Sequence, residues 1–181
     1  MAPAKTTPTL RDAAESDIDA VVAIYNDVIA TSTAVYTDRP SSREERLAWM
    51  EARRKAGFPV LVAAEGDSVL GFASFGEWRG AWPGYLYTVE HSVHVAAGHR
   101  GTGVGRLLMD ALKSRAADMG KHVMIGGVDA ANEASIRFHE RLGFVQVAHF
   151  REVGRKFDRW LDLVFMQCFL TPPGSRPGST V

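Results

Sequence analysis

Apolar residues recur three and four apart from Ile18 through Val21, Val22, Tyr25, Val28 and Ile29, the stripe of a helix that buries one face. Ser16-x-x-Asp19 has the form of a capping box with Asp in the place of Glu, so the helix is expected to open there. Pro40 followed by Ser41-x-x-Glu44 predicts a second helix, which stops near Gly57-Phe58-Pro59. Its stripe, Leu47 and Met50 with Trp49 nearby, is thin, and the rest of its surface is charged.

At Pro59 the period changes to that of strands. VLVAA, a turn at Glu65-Gly66-Asp67 and VLGFASF predict an antiparallel hairpin. A third strand, about Leu86 to Val95, sets Val89, His91, Val93 and Val95 on one face and Glu90, Ser92 and His94 on the other. Val104, Leu107, Leu108, Ala111, Leu112 and Met119 mark a long helix ending at Gly120, and the strand HVMIGGV follows. A further helix, about Asn132 to Leu142, is closed by Gly143, and two strands follow around Phe144 to Val153 and Phe157 to Phe169. The order α-α-β-β-β-α-β-α-β-β implies an α+β, mixed-sheet layered domain.

Composition narrows the function. Twenty-one Lys and Arg balance twenty-one Asp and Glu, so the cationic excess of a nucleic-acid or anionic-membrane binder is missing. The single Cys168 has no disulfide partner and is expected to fill the core of a cytoplasmic protein. No window is apolar enough for a signal peptide or membrane span. Residues 1–7 and 171–181 read as tails around one domain of residues 8–170. His91, His94 and His99 suggest a metal, but His91 and His94 point to opposite faces of a strand, so none is expected.

The chemistry concentrates at His99-Arg100-Gly101-Thr102-Gly103-Val104-Gly105-Arg106, where a strand passes into a helix. The unpaired amides of a first helical turn and the positive end of its dipole attract phosphate, and glycines let it approach. A pyrophosphate-bearing cofactor suits this turn. G-x-G-x-x-G fails because Arg106 stands where glycine is needed, and Lys113-Ser114 follows Leu112 instead of the glycine of a nucleotide triphosphatase loop. Arg100-x-x-Gly103-x-Gly105 does match the R/Q-x-x-G-x-G/A signature of the GNAT N-acetyltransferase superfamily.

The resemblance covers nearly the whole domain and is closest to the phosphinothricin/methionine sulfoximine N-acetyltransferase branch. IYNDVI, TVEHSVHV, NEASIRFHERLGF and VGRKFDRWLDLVFMQ carry it. It implies a GNAT-like fold, a mostly antiparallel twisted sheet flanked by about four helices, and a homodimer using acetyl-CoA. The amides of Gly101, Thr102, Gly103, Val104, Gly105 and Arg106, with Arg100, would hold the coenzyme pyrophosphate. The backbone of Val93, His94 and Val95 would pair with the pantetheine arm, a backbone N–H near Val93 would meet the thioester carbonyl, and Asn132 and Ser135 would lie along the arm.

Acetyl transfer to an amine needs a base, and Glu90 stands where that branch has its assigned general base, unless it is simply a solvated strand residue. Asn132, Ser135 and His139 are expected on one polar stripe, with Ala134, Phe138 and Leu142 as the buried stripe. Asn132 serves equally well as an N-cap. His139 takes the place of the wider superfamily's acidic Tyr, either as proton donor to the leaving thiolate or as a structural imidazole. Arg79, in Trp78-Arg79-Gly80-Ala81, is a candidate clamp for an acceptor carboxylate. In the branch this loop, Glu90-His91-Ser92 and the TSTAVY segment ending in Tyr36 surround the acceptor. Tyr85-Leu86-Tyr87 replaces a second basic residue of some members. The expected function is acetylation of the α-amine of a small amino acid; the alternatives are a same-fold enzyme for another amine and a non-catalytic acyl-CoA sensor.

Overall fold

In the computed structural model, which describes residues 8–80, 82–172 and 174, the first element is an edge strand, β1 (Thr9–Asp12). No sequence pattern announces it: of its four residues only Leu10 is half-buried, so a period of two has nothing to show itself in. Most of both expected tails, and Ala81 of the acceptor loop, lie outside the described residues.

The first two helices are present, with different caps. Helix α1 (Ile18–Thr31) follows a single 3-10 turn, Glu15–Asp17. The Asp17 carboxylate accepts the Ala14 N–H at 2.7 Å and two bonds from Arg11 at 2.6 and 2.8 Å. A charge-assisted pair thus takes the place of the expected Ser16–Asp19 box. Helix α2 (Arg43–Lys55) is capped one residue later than expected, by Ser42 and Glu45. The N–H of Ser41 is already bound to the Asn26 side chain, at 2.9 Å.

Strands β2 (Val60–Glu65) and β3 (Ser68–Glu77) form the expected hairpin, and β4 (Thr88–Val95) follows a 3-10 turn at Pro83–Tyr85. Helix α3 (Val104–Asp118), β5 (Val123–Asp129) and α4 (Glu133–Glu140) come next. The last hairpin, β6 (Val145–Lys156) and β7 (Arg159–Phe169), turns at Phe157-Asp158 with φ of 50° and 56°. Phe157 is therefore a turn residue and does not begin the strand. The sheet runs β1-β2-β3-β4-β5-β7-β6, antiparallel throughout except for the β4–β5 pair.

Helices cover both faces, so central strands lose the alternation of a half-exposed sheet: Val60 to Ala64 are all buried. Leu108, Met109 and Leu112 of α3 close one core over Phe75, Met124 and Met166. Ile18, Val21 and Met50 close the other over Val62 and Phe72. The α+β layering anchors β4 and β5 through Val89, Met124 and Val128 in the first core.

Candidate active site

The parallel pairing of β4 with β5 stops at Glu90 opposite Ile125, although β4 continues to Val95 and β5 to Asp129. The strands part there, and a cleft of about 920 Å³ opens between them. Gly126 and Gly127 of β5 stand where the fork opens. A Cβ on Gly126 would collide with the His91 imidazole, and one on Gly127 would stand 3.8 Å from a Glu90 carboxylate oxygen.

Glu90 lines the cleft half-buried, and burial pushes its carboxyl up from the ordinary value while the charge of Arg53 works the other way. A carboxylate raised in this way is a better proton acceptor near neutral pH. His91, Ser92, Val93, His94 and Val95 continue along the same wall, joined by Arg100, Gly101, Gly105, Asn132, Ser135 and His139.

At the mouth, Gly101 and Gly103 have φ of 77° and 98°, a left-handed conformation that glycine adopts without strain, and Gly103 caps α3. The first-turn amides of α3 lack intrahelical acceptors and face outward. Gly105 packs close to Phe138 and Val95, where an added Cβ would sit 3.3 and 3.5 Å from them. Arg100 is tied to Asp27 at 2.8 Å and to the Val95 carbonyl at 3.3 Å, which fixes the turn to α1 and β4. Thr102 donates to the His99 carbonyl at 2.7 Å, Arg106 pairs with Asp110 at 3.4 Å, and Val104 is a core residue. None of those three, nor Gly103, lines the cleft directly.

On α4 the expected stripes hold only in part: Leu142 is buried and Phe138 packs against the core as expected, but Ala134 and His139 change places. Ala134 is exposed and Phe138 half-buried, both bordering the cleft, whereas His139 is 3% exposed. The helix turns Ser135, Ile136, His139 and Leu142 toward the protein because the aromatic rings of His91 and Phe144 receive His139 there. Asn132 is the N-cap, accepting the Ser135 N–H at 3.0 Å, and also borders the cleft. His139 Nδ1 donates to the Ser135 carbonyl at 2.7 Å, Nε2 has no partner among the described residues, and burial draws its pKa down. The neutral imidazole thus carries its proton on the bonded nitrogen, leaving none at Nε2 to give a thiolate.

The acceptor-side residues are more dispersed. The Tyr36 hydroxyl donates to the Asp162 carbonyl at 3.1 Å, its ring fills the space over Gly154, and burial beside Asp129 and Asp162 pushes its pKa up to about 12. Its neighbours Ala34 and Val35 reach the cleft. Arg79 has φ of 50°, lies over the Tyr85 ring and lines a separate hollow; Gly80 backs onto Glu77.

Several cleft residues escaped the sequence reading. Arg46 of α2 stands 4.2 Å over the Tyr25 ring and 5.2 Å from that of Trp49, all three in the wall. Asp129, at the end of β5, accepts from the Thr33 hydroxyl and from the Ala131 N–H at 3.1 Å. Arg46 lies on a charged helix and Asp129 in an apolar strand, and neither matches a chemical motif. Among the described residues no group of His, Cys, Asp and Glu could hold a metal ion, and no helix is long and apolar enough to cross a membrane. Cys168 is buried and free, with its thiol pushed up to about 11 by desolvation, which makes it a core filler and not a nucleophile.

A cleft at a strand fork, edged by helix-end amides and holding a raised carboxylate, suits transfer of an acyl group from a phosphate-bearing carrier. The chain is 48% identical over 159 residues to an L-methionine sulfoximine/L-methionine sulfone acetyltransferase of Salmonella typhimurium, covering 88% of this chain and 92% of that protein. A Salmonella typhimurium protein solved with its cofactor acetyl-CoA superposes with a TM-score of 0.89 at 45% identity, over 96% of this chain and 100% of the other. A phosphinothricin acetyltransferase of Sinorhizobium meliloti in complex with the same molecule gives 0.90 at 31% identity, over 97% and 96%. The model of the acetyltransferase (GNAT) family matches residues 21–144, and the chain is an N-acetyltransferase of that family.

Proposed function

We propose that the protein transfers acetyl from acetyl-CoA to the α-amine of a small amino-acid-like acceptor of the methionine sulfoximine and phosphinothricin type, with Glu90 as base. The observation that carries this is the position of Glu90, half-buried in the cleft at the last paired residue of β4. The donor and acceptor names come from relatives that match nearly the whole chain.

The coenzyme, when bound, supplies the thioester that the amine attacks. The residues fit it: the amides from Gly101 to Arg106 offer donors to a pyrophosphate, and the unpaired edge of β4 from His91 to Val95 offers donors and acceptors to an amide-bearing arm. Glu90 accepts a proton from the amine, directly or through water, as the new N–C bond forms and the C–S bond breaks. The thiolate takes its proton from solvent. A backbone N–H near Val93 would stabilise charge on the carbonyl oxygen. Arg79, in its separate hollow, has no carboxylate partner among the described residues and is retained as the acceptor clamp, while Arg46, likewise without one, stands in the cleft wall itself.

We further read the enzyme as a cytoplasmic homodimer paired through the edge strand β6, where Val145, Val147 and Val153 are exposed with Trp160 of β7 beside them.

The direct test is thiol release from acetyl-CoA against a panel of amino acids including methionine sulfoximine, methionine sulfone and phosphinothricin, with aminoglycosides and polyamines for comparison. Glu90→Gln should lower turnover by about 10²-fold or more, the scale of a general base, while acetyl-CoA binding stays unchanged. Undiminished turnover would remove Glu90 from the mechanism.

A further inference from the structure

Directly across the β3–β4 ladder from Glu90 stands Gly76. The guanidinium of Arg53, reaching in from α2, occupies the space a side chain at Gly76 would need, and an added Cβ would fall on it. Its Nε is buried without a hydrogen-bond partner among the described residues, a costly state for a cation unless a charge offsets it. Two carboxylates do so through space, Glu90 and Glu77. Neither closes an ion pair with Arg53 among the described residues.

We propose that Arg53 is a positioning residue that holds the Glu90 carboxylate ionised and directed into the cleft. This rests on the reading of Glu90 as the base. A buried carboxylate that filled with a proton too early would be useless to an ammonium-forming acceptor, and a fixed cation behind it prevents that without approaching the substrate. Gly76 is part of the device, because any other residue would displace the guanidinium. Besides Glu77, the other charged or titratable groups lining the cleft with Glu90 are Tyr25 of α1, Arg46 of α2, His94 on its own face of β4 and His91 on the opposite face, Arg100, Asp129 at the end of β5, His139 of α4 and Arg141 just after it.

The test is the pH profile of kcat/KM for the acceptor in wild type, Arg53→Met, Arg53→Lys and Gly76→Ala. Removing the charge should move the acid limb upward by on the order of one pH unit. Gly76→Ala, which displaces only the flexible end of Arg53, should move it the same way, and Arg53→Lys should return it close to wild type. A uniform loss of kcat/KM with the acid limb in place overturns the proposal. Glu90→Gln separates the two readings: if its acid limb persists unchanged, Glu90 is not the base. The carbon-13 titration of the Glu90 carboxyl, assigned by difference from Glu90→Gln, then decides alone. Its midpoint should rise in Arg53→Met, and an unmoved midpoint refutes the role of Arg53 whatever the base is.

Discussion

His91 and His139 stack their imidazole rings at the floor of the fork, with centroids 5.1 Å apart and planes 29° from parallel. Both nitrogens of His91 and Nε2 of His139 are buried without partners among the described residues. Burial, then the neighbouring histidines, draws His91 down to about 3; burial and Arg46 draw His94 to about 4. The open chain takes up these protons near pH 6.5 whereas the fold refuses them, so stability is complete above that pH and falls as pH descends toward the folded values. Between pH 7.5 and 5 each of the two should cost about 2 kcal/mol. Glu90 acts in the opposite sense, since its raised carboxyl binds a proton in the fold before it does in the open chain. Urea unfolding at the two pH values measures the sum, and His91→Gln should flatten the dependence. Equal midpoints at pH 7.5 and 5 would contradict this account.

Gly126→Ala tests the fork itself. The added methyl would fall on His91, whose ring is held between His139 and Phe144, 5.1 and 5.3 Å away. Overpacking of this kind costs about 1–3 kcal/mol, and turnover should fall with it. Gly127→Ala meets Leu163 at 3.3 Å and Glu90 at 3.8 Å and should be milder. Denaturant midpoints of the two variants give the comparison, and equal losses would show that His91 is free to move aside.

Much of this was legible in the sequence because local patterns and tertiary structure agree. The apolar stripe of α1, the β2–β3 hairpin and the Arg100 to Gly105 turn each stand out without a neighbour. The failures have a common cause: partners distant in the chain. Nothing in residues 9–12 marks a strand until β2 offers an edge. Ser41 lost its capping role to Asn26. On α4 His139, not Ala134, is buried, because a histidine finds a buried place when rings from β4 and the β6 approach receive it. Arg53 is one of several arginines on a charged helix, and only the register of Gly76 against Glu90 singles it out.

Lys156 shows the same dependence on distant partners. It is 1% exposed at the end of β6, and its ammonium donates to the carbonyls of Ile29, Ser32 and Val35 at 2.6, 2.7 and 2.8 Å. It satisfies the C-terminal end of α1 and anchors the segment that brings Ala34 and Val35 to the cleft. Lys156→Met would leave three carbonyls unpaired and should cost about 3 kcal/mol or more. Acceptor KM should rise while acetyl-CoA affinity holds. A variant as stable as wild type would mean that water replaces the ammonium.

Val147 is 51% exposed near the start of the edge strand β6. If two copies pair there, Val147→Lys should convert a dimer to a monomer in sedimentation velocity without loss of secondary structure, since about half of the side chain's surface is open in one chain. A dimer that survives the lysine places the interface elsewhere.

The glycine turn yields to a paired substitution. At Gly103, φ is 98° and an added Cβ would meet nothing within 4 Å, so Gly103→Ala burdens the backbone without any clash inside the protein. The open space that its methyl group would enter lies at the N-terminal end of α3, where the proposed function puts the coenzyme pyrophosphate. Gly66, in the β2–β3 turn, offers the matching control: its φ is 57° and its surroundings are equally open, but no ligand is expected there. Both substitutions should lower stability by about 1 kcal/mol. In calorimetry only Gly103→Ala should weaken acetyl-CoA, by about tenfold or more, because close approach to several amides at once is lost. If the two variants bind the coenzyme alike, the amides of this turn do not hold its phosphates, and the cleft must bind it by another route.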